Sequence, residues 1–164
     1  MKPKTIPITP EDATRQRKRQ APKGRGVEPG ALAEVKALLG GAAPRRDLLI
    51  EYLHRINDHF GQLGTPHLAA LAHCLGLAQA EVYEVASFYH HFDIVKEAAD
   101  GHVAAPPALT VRVCDGLACE MAGARGLLER LPALLGAGVR VRPAPCVGRC
   151  ERAPVAVVHQ YPVP

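Results

Sequence analysis

Four of the five cysteines in this chain fall in two short clusters, VCDGLAC and APCVGRC, and each cluster directly follows a stretch of strand-like alternation. Cys114 and Cys119 follow Leu109, Val111 and Val113, which alternate with Thr110 and Arg112. Cys146 and Cys150 follow Val139 and Val141, which alternate with arginines. Between the clusters, residues 120–135 carry Leu127, Leu128, Leu131 and Leu135 at helical intervals, which predicts one helix, kinked or ended near Pro132. Residues 154–159 (PVAVVH) predict a further strand. Strand, helix, strand is a βαβ unit, which requires parallel strands and a right-handed crossover. Parallel strands end at the same edge of a sheet, so the topology alone carries both cysteine pairs to one rim.

Four thiolates gathered at one rim need a cation to offset their charge. Zinc prefers a compact tetrahedron built from tight cysteine knuckles. An iron–sulfur cluster also takes four thiolates but spreads them around two irons and two sulfides. The spacings here, C-x₄-C and C-x₃-C, are loose for a single ion and suit a 2Fe–2S cluster, with a structural zinc module as the non-redox alternative. Disulfides rank last, because the odd cysteine count and the lack of a secretory signal argue for a reducing, cytoplasmic setting. Gly116 and Gly148, one in each loop, let the backbone approach the sulfurs closely and point N–H groups at them.

The preceding part of the chain has the helical period. Residues 31–39 predict a short helix ended by Gly40 and Gly41. Asp47 is a plausible N-cap for the next helix, whose Ile50, Leu53, Ile56, Asn57 and Phe60 form an inward stripe. Thr65 and Pro66 then read as N-cap and first-turn proline of a helix over 67–75, closed by Gly76. Residues 78–91 predict a fourth helix. The expected fold is α+β: a basic leader (1–30), a helical bundle (31–95), a Pro-containing linker (96–107) and a βαβ half with a further strand that carries the four cysteines (108–164). Cys74, between apolar neighbours, is expected to be a small buried hydrophobe; His67, His73, His90 and His91 are expected to pack rather than ligate, and Phe88, Tyr89 and Phe92 to be core.

Charge and motifs exclude several functions. The formal charge is +4, but residues 1–30 hold eight Lys/Arg against three Asp/Glu, so the rest of the chain is almost neutral. With aromatics at 4% and no Trp, base-stacking surface is scarce, and no nucleic-acid partner is expected. No apolar run is long enough to span a bilayer. G-x-S-x-G, H-E-x-x-H, P-loop and strand-linked G-x-G-x-x-G motifs are all missing, so the chain carries no catalytic site of its own and no NAD fingerprint.

The strings VCDGLAC and APCVGRCERAP, preceded by EVYEVASFYHHF, resemble the thioredoxin-like 2Fe–2S ferredoxin subunits of NADH-oxidising modules. That family includes the small iron–sulfur subunit of respiratory complex I, the γ subunit of NAD-dependent formate dehydrogenase and the diaphorase part of NAD-linked hydrogenases. The likeness runs from about Asp47 to His159 and implies that Cys114 and Cys119 share one iron and Cys146 and Cys150 the other. PKGRGVEP, RRDLLIEYLHRINDHFGQL and AEVYEVASFYHHFDIVKE look similar to the N-terminal part of fused formate dehydrogenase β chains, which places formate dehydrogenase ahead of complex I or a hydrogenase. The resemblance implies FMN and NAD on a partner flavin subunit or fused domain, and a large molybdenum or tungsten subunit where formate is oxidised. It also implies a hairpin strand and a last helix after His159; neither is evident, which leaves open a truncation of the ferredoxin half.

Overall fold

The computed structural model describes residues 24–41, 43–159 and 161–164, so most of the basic leader lies outside the described residues. Helix α1 (Pro29–Leu39) is followed by a 3₁₀ turn (Arg46–Leu48), α2 (Leu49–Phe60), α3 (Thr65–Leu75) and α4 (Gln79–Phe88). Two-residue strands β1 (Leu63–Gly64) and β2 (Ile94–Val95) pair in parallel and tie the end of this region back to the link between α2 and α3. The ferredoxin half contains β3 (Leu109–Cys114), α5 (Leu117–Met121), α6 (Ala124–Leu135), β4 (Val139–Ala144), a 3₁₀ turn (Cys150–Arg152), β5 (Ala156–Val158) and β6 (Tyr161–Val163). The α+β class matches the sequence expectation.

The first three helices close at Gly40, Gly61 and Gly76, the first and third as the sequence predicts. Asp47 does not cap α2. It lies in the 3₁₀ turn and pairs with Arg45, because an extra turn precedes the helix proper. The buried stripe of α2 is Leu49, Tyr52, Leu53 and Ile56, whereas Ile50 faces outward. Thr65 is inside α3, with Gly64 as its N-cap. Helix α4 ends at Phe88, three residues short of the expected end, and the chain turns so that only Phe92 enters the core. The helical core groups Val35, Leu53, Ile56, Leu71 and Val82, all fully buried.

In the second half β3 and β4 pair in parallel, Leu109 opposite Val139 and Cys114 opposite Ala144. The sheet order is β4-β3-β5-β6, with β5 antiparallel to β3 and β6 antiparallel to β5. Strand β6 is the hairpin strand that is not evident in the sequence; its three residues are exposed and too short to show a period. The single helix expected over 120–135 is two, α5 and α6, separated at Ala122 and Gly123, while α6 runs through Pro132. The segment 96–107 is not wholly irregular, since Glu97 and Val103 form an antiparallel bridge.

Strand alternation gives the sheet two different faces. Val111 and Val113 belong to a second core with Val155, against which Leu127, Leu128 and Leu131 of α6 pack. Thr110, Arg112, Arg140 and Arg142 occupy the other face, where the helical half lies. Asp93 is 9% exposed and takes an ion pair from Arg112 at 2.9 Å, another from Arg140 at 3.3 Å and a longer one from Arg142 at 3.8 Å. Thr110 Oγ1 donates to the same carboxylate at 3.3 Å, and Arg112 also donates to the carbonyls of His90 and His91. This sheet face is therefore met by the helical half through charge rather than through apolar packing.

Candidate metal centre

Both cysteine pairs meet at the C-terminal edge of β3 and β4, as the parallel topology requires. Cys114 is the last residue of β3, and Cys119 sits in α5 just beyond it; both are buried. Cys146 follows β4 and Cys150 opens the next 3₁₀ turn; both are exposed. The sulfurs of Cys146 and Cys150 lie 3.5 Å apart, and Cys114 Sγ and Cys146 Cβ both border Gly116, 3.5 Å and 3.1 Å from where a Cβ on that residue would stand.

Backbone geometry holds this set together. The Cys114 amide donates to the Val155 carbonyl at 2.9 Å, while the Val155 N–H is aimed at the Cys119 sulfur. Val155 thus holds Cys114 through its carbonyl, from the chain that follows the second loop, while its amide favours the Cys119 thiolate. The N–H groups of Gly116 and Val147 are directed at Cys114, and that of Gly148 lies 3.5 Å from the Cys146 sulfur. Gly148 adopts φ 77°, a conformation that other residues enter at a cost. Gly116 is required for space: a Cβ there would stand 3.1 Å from Cys146 Cβ and 3.5 Å from Cys114 Sγ.

The electrostatics favour one thiolate and resist more. Burial works against ionising Cys114, but the amides of Gly116 and Val147 and the two neighbouring thiols outweigh it and hold its pKa below that of an ordinary thiol. Cys119 is pushed up, first by burial and then by the charge on Cys114 and Cys146. Cys150 is pushed up by its hydrogen bond to Cys146 and by that neighbour's charge. A second and third thiolate at this edge therefore call for a bound cation. The amides aimed at sulfur, the glycine cradle and the all-thiol donor set fit a binuclear iron–sulfur core. Among the described residues no group of three or more His, Cys, Asp or Glu side chains closes around a single metal ion.

The structure brings together all four cysteines singled out in the sequence, along with Gly116 and Gly148. The contributions of Val147 and Val155 are made by their amides, which no side-chain pattern signals. Cys74 lies in the helical half, partly buried, with its thiol pKa pushed up by burial. His67 stacks on Phe60 and binds Glu34 through Nε2 at 2.9 Å. Phe88 and Tyr89, expected in the core, are at the surface.

A fold with this sheet and this cysteine edge defines a ferredoxin-type electron-transfer domain. The family model for thioredoxin-like [2Fe-2S] ferredoxins matches residues 35–163, most of the chain, and the chain belongs to that family. Its cofactor is a 2Fe–2S cluster. NADH-quinone oxidoreductase subunit 2 of Thermus thermophilus is 28% identical over 127 residues, covering 72% of this chain and 65% of that protein. An NADH-quinone oxidoreductase subunit of Aquifex aeolicus is 28% identical over 124 residues, covering 70% of this chain and 72% of the relative. Another, from Mycobacterium tuberculosis H37Rv, is 29% identical over 148 residues, 82% of this chain but 55% of its own length. Among solved structures, the NAD+-reducing [NiFe]-hydrogenase in the air-oxidised state matches at 23% identity and a TM-score of 0.45, over 92% of this chain and 22% of the hydrogenase chain. The chain thus spans about two thirds of the Thermus relative and about half of the mycobacterial one. Among the described residues no helix is long and apolar enough to cross a membrane.

Proposed function

We propose that Cys114, Cys119, Cys146 and Cys150 together ligate one 2Fe–2S cluster, Cys114 and Cys119 on one iron and Cys146 and Cys150 on the other. The chain then serves as a one-electron carrier in an NAD(H)-linked oxidoreductase whose FMN and NAD sites lie on a neighbouring flavin subunit or fused domain. The observation that carries this reading is the meeting of both cysteine loops at a single sheet edge, with Gly116 fitted between them. A bound cluster supplies reversible acceptance of one electron. The N–H groups of Gly116, Val147 and Val155 offset the negative charge that reduction adds at the buried sulfurs. Burial of Cys114 and Cys119 keeps water from one side of the site, and exposure of Cys146 and Cys150 opens the other side to a redox partner. The chain contributes to catalysis as part of a complex and holds neither substrate.

Two domain units are part of the proposal, a helical one (31–95) and the ferredoxin one (108–164), joined through 96–107; the two separate hydrophobic cores support the division. Formate is the electron source favoured by the leader and helical strings quoted above, with a large molybdenum or tungsten subunit as a further partner and the cytoplasm as the setting. The quinone oxidoreductase relatives support the second reading, a complex I-type module. Paramagnetic resonance on the purified complex tests both. NADH is expected to develop a reduced 2Fe–2S signal on this chain, and formate to do so only if the large subunit co-purifies. Absence of any such signal after dithionite contradicts the electron-carrier assignment.

A further inference from the structure

The arginines on the sheet face that meets the helical half outnumber the acid that receives them. Arg112 is engaged through Nε and Nη2, by Asp93 and by the carbonyls of His90 and His91. Arg140 stands behind it against the same carboxylate. Arg142 is different: its nearest acid is Asp93 at 3.8 Å, beyond hydrogen-bonding distance, and its side chain is 57% exposed. Next to it a cavity of ≈ 480 Å³ opens between the end of α4 and the end of β4. Tyr89 and Arg142 are among its walls, and it extends to Asp115 and Pro145, the neighbours of Cys114 and Cys146. Asp93 and Asp115 are the acids of the walls; Asp93 is shared among Arg112, Arg140 and Arg142, and of the two wall arginines Arg142 has no hydrogen-bond partner among the described residues. Phe88 is 75% exposed, edge-to-face on Tyr89 with ring centroids 5.1 Å apart. An exposed aromatic beside an under-neutralised arginine is the composition of an interface anchor.

We propose that this cavity is the seat of the flavin-bearing partner, which places a carboxylate on the fork of Arg142 and an apolar side chain over Phe88. The inference rests on the reading of the chain as an electron carrier to a flavin subunit. Arg142 presents planar paired donors that match a carboxylate, and the field of the other two arginines makes the site selective for an anion. Because Pro145 lines the cavity and Cys146 beside it is exposed, a partner seated here adjoins the open side of the cysteine edge.

The test uses the full chain, tagged and co-expressed with a flavin- and NAD-binding oxidoreductase subunit from the same organism, and reads FMN retained per chain across a salt series. The wild-type pair is expected to retain FMN at low salt and to lose it as salt rises. Arg142→Glu and, separately, Phe88→Ser are each expected to weaken binding of the flavin protein by about tenfold or more. Neither change should alter the chain's own visible absorption or melting transition. Retention equal to wild type in either variant overturns the proposal; should Arg142→Glu melt early, Phe88→Ser, a surface change, decides alone. Absence of FMN from the wild-type pair at every salt concentration contradicts the flavin-partner reading itself, and the docking seat falls with it.

Discussion

A methyl group at Gly116 would lie 3.1 Å from Cβ of Cys146, so the first cysteine loop touches the second at the one residue of the loop that has no side chain. The backbone of Gly116 is extended, with φ −61° and ψ 154°, and alanine could adopt it; only the space forbids a side chain. Gly116→Ala should therefore push the loops apart by a few tenths of an ångström, at about 1–3 kcal/mol of overpacking. The expected outcome is a chain that folds, loads iron and sulfide less completely and bleaches faster in air, measured by visible absorption. Gly148→Ala meets no atom within 4 Å but is strained at φ 77°, so its penalty should appear as lower thermal stability with the loops still in contact.

Serine in place of Cys114 or Cys146 should abolish or weaken the visible chromophore and lower the melting temperature of the ferredoxin half, because metal binding there doubles as folding energy. Cys74→Ser should leave the absorption spectrum unchanged, since Cys74 packs against the helical core. Bleaching by Cys74→Ser would mean that the ligand set is wrong.

Asp93→Asn removes the negative charge on which Arg112, Arg140 and Arg142 converge. Breaking a buried ion pair from one side costs about 3–5 kcal/mol. Arg142 is largely solvated and adds little to that figure. Chemical denaturation of the loaded chain should show the loss. A melting transition within a degree of wild type would mean that the two halves are held by other contacts.

His91 provides a pH dependence. Burial lowers its pKa, and the neighbouring His54 and Arg112 lower it further. The unfolded chain, with the ordinary histidine value of about 6.5, then binds a proton more readily than the folded one. Stability should be complete above that value and fall as pH drops through it toward the lower folded pKa. His91→Gln should flatten this part of the pH–stability curve. An unchanged slope would assign it to other groups.

The cysteine edge is legible in the sequence because it follows from three simple patterns: period-two strands, a leucine-spaced helix and paired cysteines after each strand. What escapes the sequence is built from backbone or from distant charges. Val155 holds Cys114 through its carbonyl and favours the Cys119 thiolate through its amide, and backbone groups have no side-chain signature. Asp93 is a lone acid after an aromatic run, and its role appears only when Arg112, Arg140 and Arg142 share one sheet face. The break at Gly123 is hidden because the leucines that follow keep a helical interval, and Pro132 stands out as the expected breaker. Ile50 follows the apolar period of α2 yet faces water, because the stripe is centred on Leu49, Leu53 and Ile56.

Assay of iron, acid-labile sulfide and zinc in anaerobically purified chain bears most directly on the central assignment. Two irons and two sulfides per chain, lost together in Cys114→Ser, are the result expected. One zinc per chain with no sulfide would contradict the assignment and make the cysteine edge a structural site.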